Sequence, residues 1–255
     1  MKRLVYSLIG LMAVPTIAFA ECVQFVAPPM VFDRPSWSEL ETFEASKDLN
    51  DNVDVVQTIA GTGQGQLNID QYSLVIDKNG QSASDLLAEI RANLSGVVFS
   101  GSSYTKVEPL DPASKALWNS SDYRGAVLVF TLASIAGVFD AETGAVVVSC
   151  ETPTDFLFST VKVGSANTYS SPGWHPVSGN RAFGVRDNGD DSLTIFVKAA
   201  DRVVDAGIFA TPIVPNEKIF GQGHKVWLHM LDNLKTRYAA RNPRQVGVFS
   251  QHVDF

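Results

Sequence analysis

The sequence predicts an α+β domain with an antiparallel sheet and one long helix near the C-terminus, preceded by an N-terminal arm. Three observations carry this expectation. Between Gly125 and Ala200 at least five strand-like runs follow one another at short spacing, and neighbours this close in sequence pair antiparallel, because parallel strands need long crossovers. From Gly223 to Arg241, Val226, Trp227, Met230, Leu231, Leu234 and Tyr238 fall on one helical face, with Lys225, Asp232, Lys235 and Arg237 off it. A shorter helical stripe, Leu86, Leu87, Ile90 and Leu94, precedes the strands.

The first twenty residues read as a signal peptide. Lys2-Arg3 make a basic start, Leu4–Ile17 is mostly apolar, and Ala18-Phe19-Ala20 has the small-x-small pattern of a cleavage site. The apolar run is short for a membrane span, and Glu21 stands where a lipid-modified Cys22 would need a small residue before it. The expectation is therefore an exported chain, periplasmic or extracellular, with no transmembrane segment once the signal is removed. Of 255 residues 235 would remain, and losing two of 20 basic residues leaves 18 against 27 acidic ones, a formal charge of −9. That sign, without a basic stripe, excludes the usual electrostatic footprint of a nucleic-acid binder. Cys22 and Cys150 are the only cysteines, and in an oxidising compartment they are expected to form one disulfide. Closing so long a loop is worth about 4–5 kcal/mol in the chain-entropy model, as an upper figure.

Residues 21–80 are assigned to the arm and first strands. Pro28, Pro29 and Pro35 rule out one long helix, Ser36 and Glu39 suggest a short capped helix, and Val53–Ile59 reads as a strand. Gly61-Thr-Gly63-Gln-Gly65 is read as a turn: Leu67–Ile76 after it alternates at period two, whereas a phosphate loop needs a helix N-terminus there. Residues 81–255 form the main domain. Ser82 caps the first helix, Gly96 is placed to stop it, and a short helix is expected over Ala113–Trp118. Strands follow at Ala126–Ala133, Ala145–Cys150 and Phe156–Val163, with an Asp140–Gly144 turn between the first two. After a loop over Gly164–Pro176, Asn180–Asp187 and Ser192–Ala200 make a hairpin through Asn188-Gly189, a dipeptide suited to positive φ. Pro212 and Pro215 break the chain before the long helix, Asn242-Pro243 ends it, and a short C-terminal strand closes the sequence.

The order of elements resembles that of helix-grip domains. His175-Pro-Val-Ser-Gly179, Arg181-x-Phe183-Gly184, Asn188-Gly189 and a strand ending in Asp201-Arg202 resemble a layout found in uncharacterised bacterial exported domains, some of them placed in the START-like superfamily. The resemblance covers roughly Leu86–Tyr238. It implies that the sheet is curved and packs on the last helix, wrapping around it, with a cavity between them that takes a small hydrophobic ligand. It carries no catalytic residues and no cofactor.

The candidate ligand-binding residues are His175, Arg181, Asp201, Arg202 and Trp227. His175 titrates near neutrality when unperturbed and is either a ligand contact or general base, or an ordinary loop histidine. Arg181 begins one hairpin strand and Asp201-Arg202 ends the other, so with Asn180 they make either an anionic head-group site or a structural ion-pair network. Other motifs lead nowhere: Ser178 lacks the glycine of a nucleophile elbow, Asp187–Asp191 lacks the spacing of a calcium loop, and His224 and His229 are five apart, off the i, i+4 spacing of a zinc pair. A C-terminal Phe255 after alternating residues suits an outer-membrane barrel, but two amphipathic helices argue against one. No catalytic or metal site is expected. The leading expectation is a binding module for a small apolar or amphipathic ligand; the alternatives are an enzyme using His175 with the Arg181/Asp201/Arg202 cluster, or an envelope protein-interaction module.

Overall fold

The computed structural model describes residues 22–25, 34–99, 106–133, 141–164, 173–204 and 216–255. The proposed signal peptide, Pro28-Pro29, most of the Gly164–Pro176 loop, and Pro212 and Pro215 lie outside them. The described strands are β1 (Val53–Val56), β2 (Gly63–Asp77), β3 (Lys106–Pro109), β4 (Val127–Ala133), β5 (Ala141–Glu151), β6 (Asp155–Val163), β7 (Val177–Asp187), β8 (Ser192–Val204) and β9 (Arg244–Val253). They form one antiparallel sheet in the order β3-β4-β5-β6-β7-β8-β2-β9, with β1 on β6. The helices are α1 (Ser38–Thr42), α2 (Ile59–Thr62), α3 (Ala83–Ala92), α4 (Leu94–Phe99), α5 (Pro112–Trp118) and α6 (Asn216–Arg237). None is long and apolar enough to cross a membrane among the described residues.

One face of the sheet holds α6 and α3–α4. Tyr72, Leu74 and Ile76 of β2, Phe183 and Val185 of β7, and Ile195 and Val197 of β8 meet Val226, Trp227, Met230, Leu231 and Leu234 there. This is the helix-grip arrangement, and its physical basis is the apolar stripe of α6 meeting the inward half of each strand. The other face is covered by the arm. Val23, Phe25, Trp37 and Leu40 pack on Leu67, Ile69, Leu157, Ala182, Phe196 and Ala200. Central strands are therefore buried on both sides. The arm is fastened by the Cys22–Cys150 disulfide and by Asp155, whose Oδ2 accepts from the amides of Cys22 (2.8 Å) and Val23 (3.2 Å).

Several boundaries differ from the sequence expectation. Gly96 does not stop the first helix; it lies within α4, which continues after a break at Asn93. Ala141–Gly144 is strand, not turn, because it pairs with Phe130–Ala133 of β4. The N-cap of α1 is Trp37, without a side-chain capping bond, so Ser36 does not cap it. α6 starts seven residues before Gly223, with Gly221 and Gly223 inside it. Each glycine disfavours a helix by roughly 1 kcal/mol, but Phe220 and Val226 are buried on either side of the pair, so packing overrides propensity. The last strand spans ten residues because β2 offers it a full edge. Gly189 does take positive φ, +79°, in the β7–β8 turn.

At one end of the sheet β6 and β7 part. They pair from Asp155↔Gly184 to Ser159↔Asn180; beyond that β1 takes the place beside β6, with Val56 opposite Val161. Gln57, just after β1, fills the fork. Its backbone amide donates to Thr160 O, its side chain donates to His175 O (2.9 Å), and its Oε1 accepts from the His175 amide (2.7 Å).

A buried ionic cluster at a sheet–helix cavity

A cavity of about 140 Å³ lies between the sheet and the first half of α6. Its walls are mostly apolar: Phe130, Val146, Phe158 and Phe183 from the sheet, and Ile219, Phe220, Val226 and Trp227 from the helix. Asn68, Asp70, Arg181 and Asp201 give it one polar region, and His175 and His224 also line it.

Strand register builds the polar region. Asp70, Ala199 and Arg181 stand in one row across β2, β8 and β7, and Asn68, Asp201 and Gly179 in the next. All point to the helix side. Ala199 is the small residue over which the Arg181 side chain reaches from β7 to β2. There its two terminal nitrogens donate to both oxygens of Asp70, at 2.8 and 2.9 Å. A longer bond, 3.4 Å, goes to Asp201. The Asn68 amide donates to both carboxylates, at 3.0 Å to Asp70 and 3.2 Å to Asp201. Trp227 covers the guanidinium from the helix, 4.2 Å from its carbon to the ring centre, and meets Phe183 edge-on. Fork-to-fork pairing with a stacked aromatic is what lets a charged arginine sit this deep.

The charges do not balance. One guanidinium faces two carboxylates, and Asp70 holds the better bonds. Burial, reinforced by the charge on Asp70 and only partly offset by Arg181, pushes Asp201 well above the usual carboxylate range. For Arg181 burial works against the charge, but Asp70 and then Asp201 outweigh it and hold the guanidinium more firmly protonated than in water. Two residues along β2, the Tyr72 hydroxyl lies 2.8 Å from Nδ1 of His224, and burial, with Asp70 adding to it, raises the phenol.

His175 lines the same cavity, held by Gln57, with Nδ1 against the Val177 backbone (3.0 Å to the carbonyl oxygen). Its ring lies over Gly144, where a Cβ would overlap it, so glycine is required at that point of β5. Burial pushes its imidazole down to about 4. It is therefore neutral at pH 7 and a weak base.

Of the sequence candidates, His175, Arg181, Asp201 and Trp227 meet at the cavity. Arg202 does not. Successive residues of a strand face opposite ways, so Arg202 leaves the helix side that Asp201 occupies. Its Nε donates to Gly65 O, one terminal nitrogen donates to Ile59 O, and its guanidinium stacks on Phe255. Asn180 likewise faces the arm, donating to the carbonyls of Leu40 and Phe43. Asn68, Asp70, Tyr72 and His224 were not foreseen. A signal for the first three existed: apolar residues of β2 sit at Leu67 and Ile69 and then at Tyr72, Leu74 and Ile76, a change of phase that puts two polar residues in line with the second set.

No family model matches the chain, and no curated protein matches it in sequence. Solved structures do align with it. The Zhui aromatase/cyclase from Streptomyces sp. R1128 is 10% identical, covering 69% of this chain and 95% of its own, with a TM-score of 0.46. A START superfamily protein from Mycobacterium smegmatis is 11% identical, covering 69% and 99%, with a TM-score of 0.42. Ginseng major latex-like protein 151 from Panax ginseng is 10% identical, covering 68% and 99%, with a TM-score of 0.40. Scores this low add no weight of their own; the helix-grip architecture rests on the sheet order and the seat of α6.

Proposed function

We propose that this is an exported binding protein whose sheet–helix cavity holds a small apolar or amphipathic molecule of about one ring. The carrying observation is a void of about 140 Å³ with apolar walls and one polar region. Protein interiors are otherwise close-packed, and apolar voids near 150 Å³ accept a molecule the size of benzene. Export is supported by the basic-then-apolar start ending at Ala20 and by the Cys22–Cys150 bond, which suits an oxidising compartment. The enzyme alternative draws little support from His175, whose burial makes it a weak base.

The test is native mass spectrometry of protein recovered from the compartment to which it is exported. The expected species begins at Glu21 and carries a small molecule that is lost on denaturation. Val146→Phe, which puts a ring into the void, should lower that occupancy. Equal recovery of the molecule from both proteins would remove the cavity from consideration.

A further inference from the structure

We propose that the cavity selects a ring-bearing ligand ending in a protonated amine over one of the same size ending in a carboxylate. This rests on the ligand reading above and goes beyond it by assigning the charge class. One of the two sequence readings, beside a structural ion-pair network, was a pair of guanidiniums around an anionic head group; the structure leaves one guanidinium there, and Asp70 already takes both its terminal nitrogens. An incoming carboxylate would meet the Asp70 carboxylate, the Asp201 carboxyl and an arginine whose two terminal nitrogens already bond Asp70. An ammonium would meet Asp201, which among the described residues receives one bond from Asn68 at Oδ1 and the long bond from Arg181 at Oδ2. A carboxylate has about four acceptor sites, so Asp201 has capacity to spare.

The charge count agrees. The titratable and charged groups facing the site are Asp70 and Tyr72 from β2, Arg181 from β7, Asp201 from β8, His175 and, from α6, His224. Burial keeps Tyr72 and His175 neutral. Without ligand, burial favours a proton on Asp201. When an ammonium enters, Asp201 releases that proton to solvent, and Asp70, Asp201, Arg181 and the ligand sum to zero. A buried carboxylate ligand would leave an uncompensated negative charge, which a low-dielectric site penalises.

The probes are benzylamine, benzyl alcohol and benzoate, titrated by calorimetry or protein NMR at about pH 6 and about pH 8, on either side of neutrality where a raised carboxylate changes charge. The amine should bind about tenfold or more tightly than benzoate at the higher pH, the advantage of a charge-assisted pair. Its affinity should rise with pH while that of the alcohol stays flat. Asp201→Asn should erase both the preference and the pH dependence; if that variant does not fold, the pH dependence of the natural protein decides. Benzoate binding as tightly as benzylamine, or amine affinity that ignores pH, overturns the charge assignment while the cavity reading stands. Binding of none of the three at millimolar concentration overturns the cavity reading itself.

Discussion

The partly buried Arg181 and the fully buried Lys198 are cations on neighbouring strands, with Lys198 opposite Ala182, yet they point to opposite faces of the sheet and are held differently. Under α6, Arg181 meets two carboxylates and an indole and stays charged beside a cavity. Under the arm, Lys198 is 1% exposed and meets carbonyl oxygens, those of Gln24 (3.0 Å) and Ser36, with the Trp37 ring 4.7 Å away. Burial, only partly offset by Glu39, lowers its amine to about 8. Carbonyl dipoles solvate an ammonium without neutralising it, whereas a carboxylate supplies a full opposite charge. The two faces thus use buried charge for different ends. The helix side keeps an ionic cluster next to empty space, where a ligand's polar group could exchange bonds with it. The arm side uses one amine to tie two stretches of arm to the sheet.

The largest expected effect comes from breaking the helix-side cluster. Arg181→Met leaves Asp70 buried without its partner and should destabilise the protein by about 3–5 kcal/mol in chemical denaturation at neutral pH. Adding Asp70→Leu to that variant should recover part of the loss, because the orphaned charge goes too; a fully additive double variant would mean the two residues do not act as a pair. Next comes the arm. Cys22→Ser with Cys150→Ser should cost about 2–4 kcal/mol and speed proteolysis near Trp37 while leaving the cavity intact. Equal protease resistance with and without the bond would show that the remaining contacts suffice to hold the arm.

The smallest effect, and the one that separates the two cations most cleanly, is at Lys198. Its amine is lowered to about 8 in the fold against about 10.4 in an unfolded chain. Between those values the unfolded chain binds more protons, so stability rises with pH there, and below pH 8 the penalty of burying the charge is present in full. Lys198→Met should therefore flatten the rise and change stability at pH 7 by only about 1 kcal/mol, since lost hydrogen bonds offset the relieved charge. Arg181, already held protonated, should show no such dependence. A natural protein and Lys198→Met with parallel stability curves from pH 7 to 10 would mean that the amine is not buried as described.

How much was legible in advance follows the range of the interactions involved. The amphipathic stripe of α6, the capped α3, the Asn188-Gly189 turn and the antiparallel run from β4 to β8 are local patterns, and they appear where periodicity and turn chemistry put them. The start of α6 was misplaced because two glycines outweigh local propensity on paper but not once Phe220 and Val226 are packed. Arg181 and Asp201 were picked out for their places at the ends of a hairpin. The main partner of Arg181, Asp70, lies more than a hundred residues earlier in sequence, and no local pattern joins them. Arg202 was drawn in by adjacency to Asp201, although adjacent strand residues face opposite ways.

By itself, then, the sequence determined the class of fold, the helix that carries the apolar face, and the pairing of the only two cysteines, since periodicity and composition act residue by residue. Tertiary structure decided the site. Which polar residues share a face depends on strand register; whether Arg181 meets a ligand or Asp70 depends on the small side chain of Ala199 between them. The charge of the cavity depends on how many carboxylates the fold brings to one guanidinium, a sum that only packing can make.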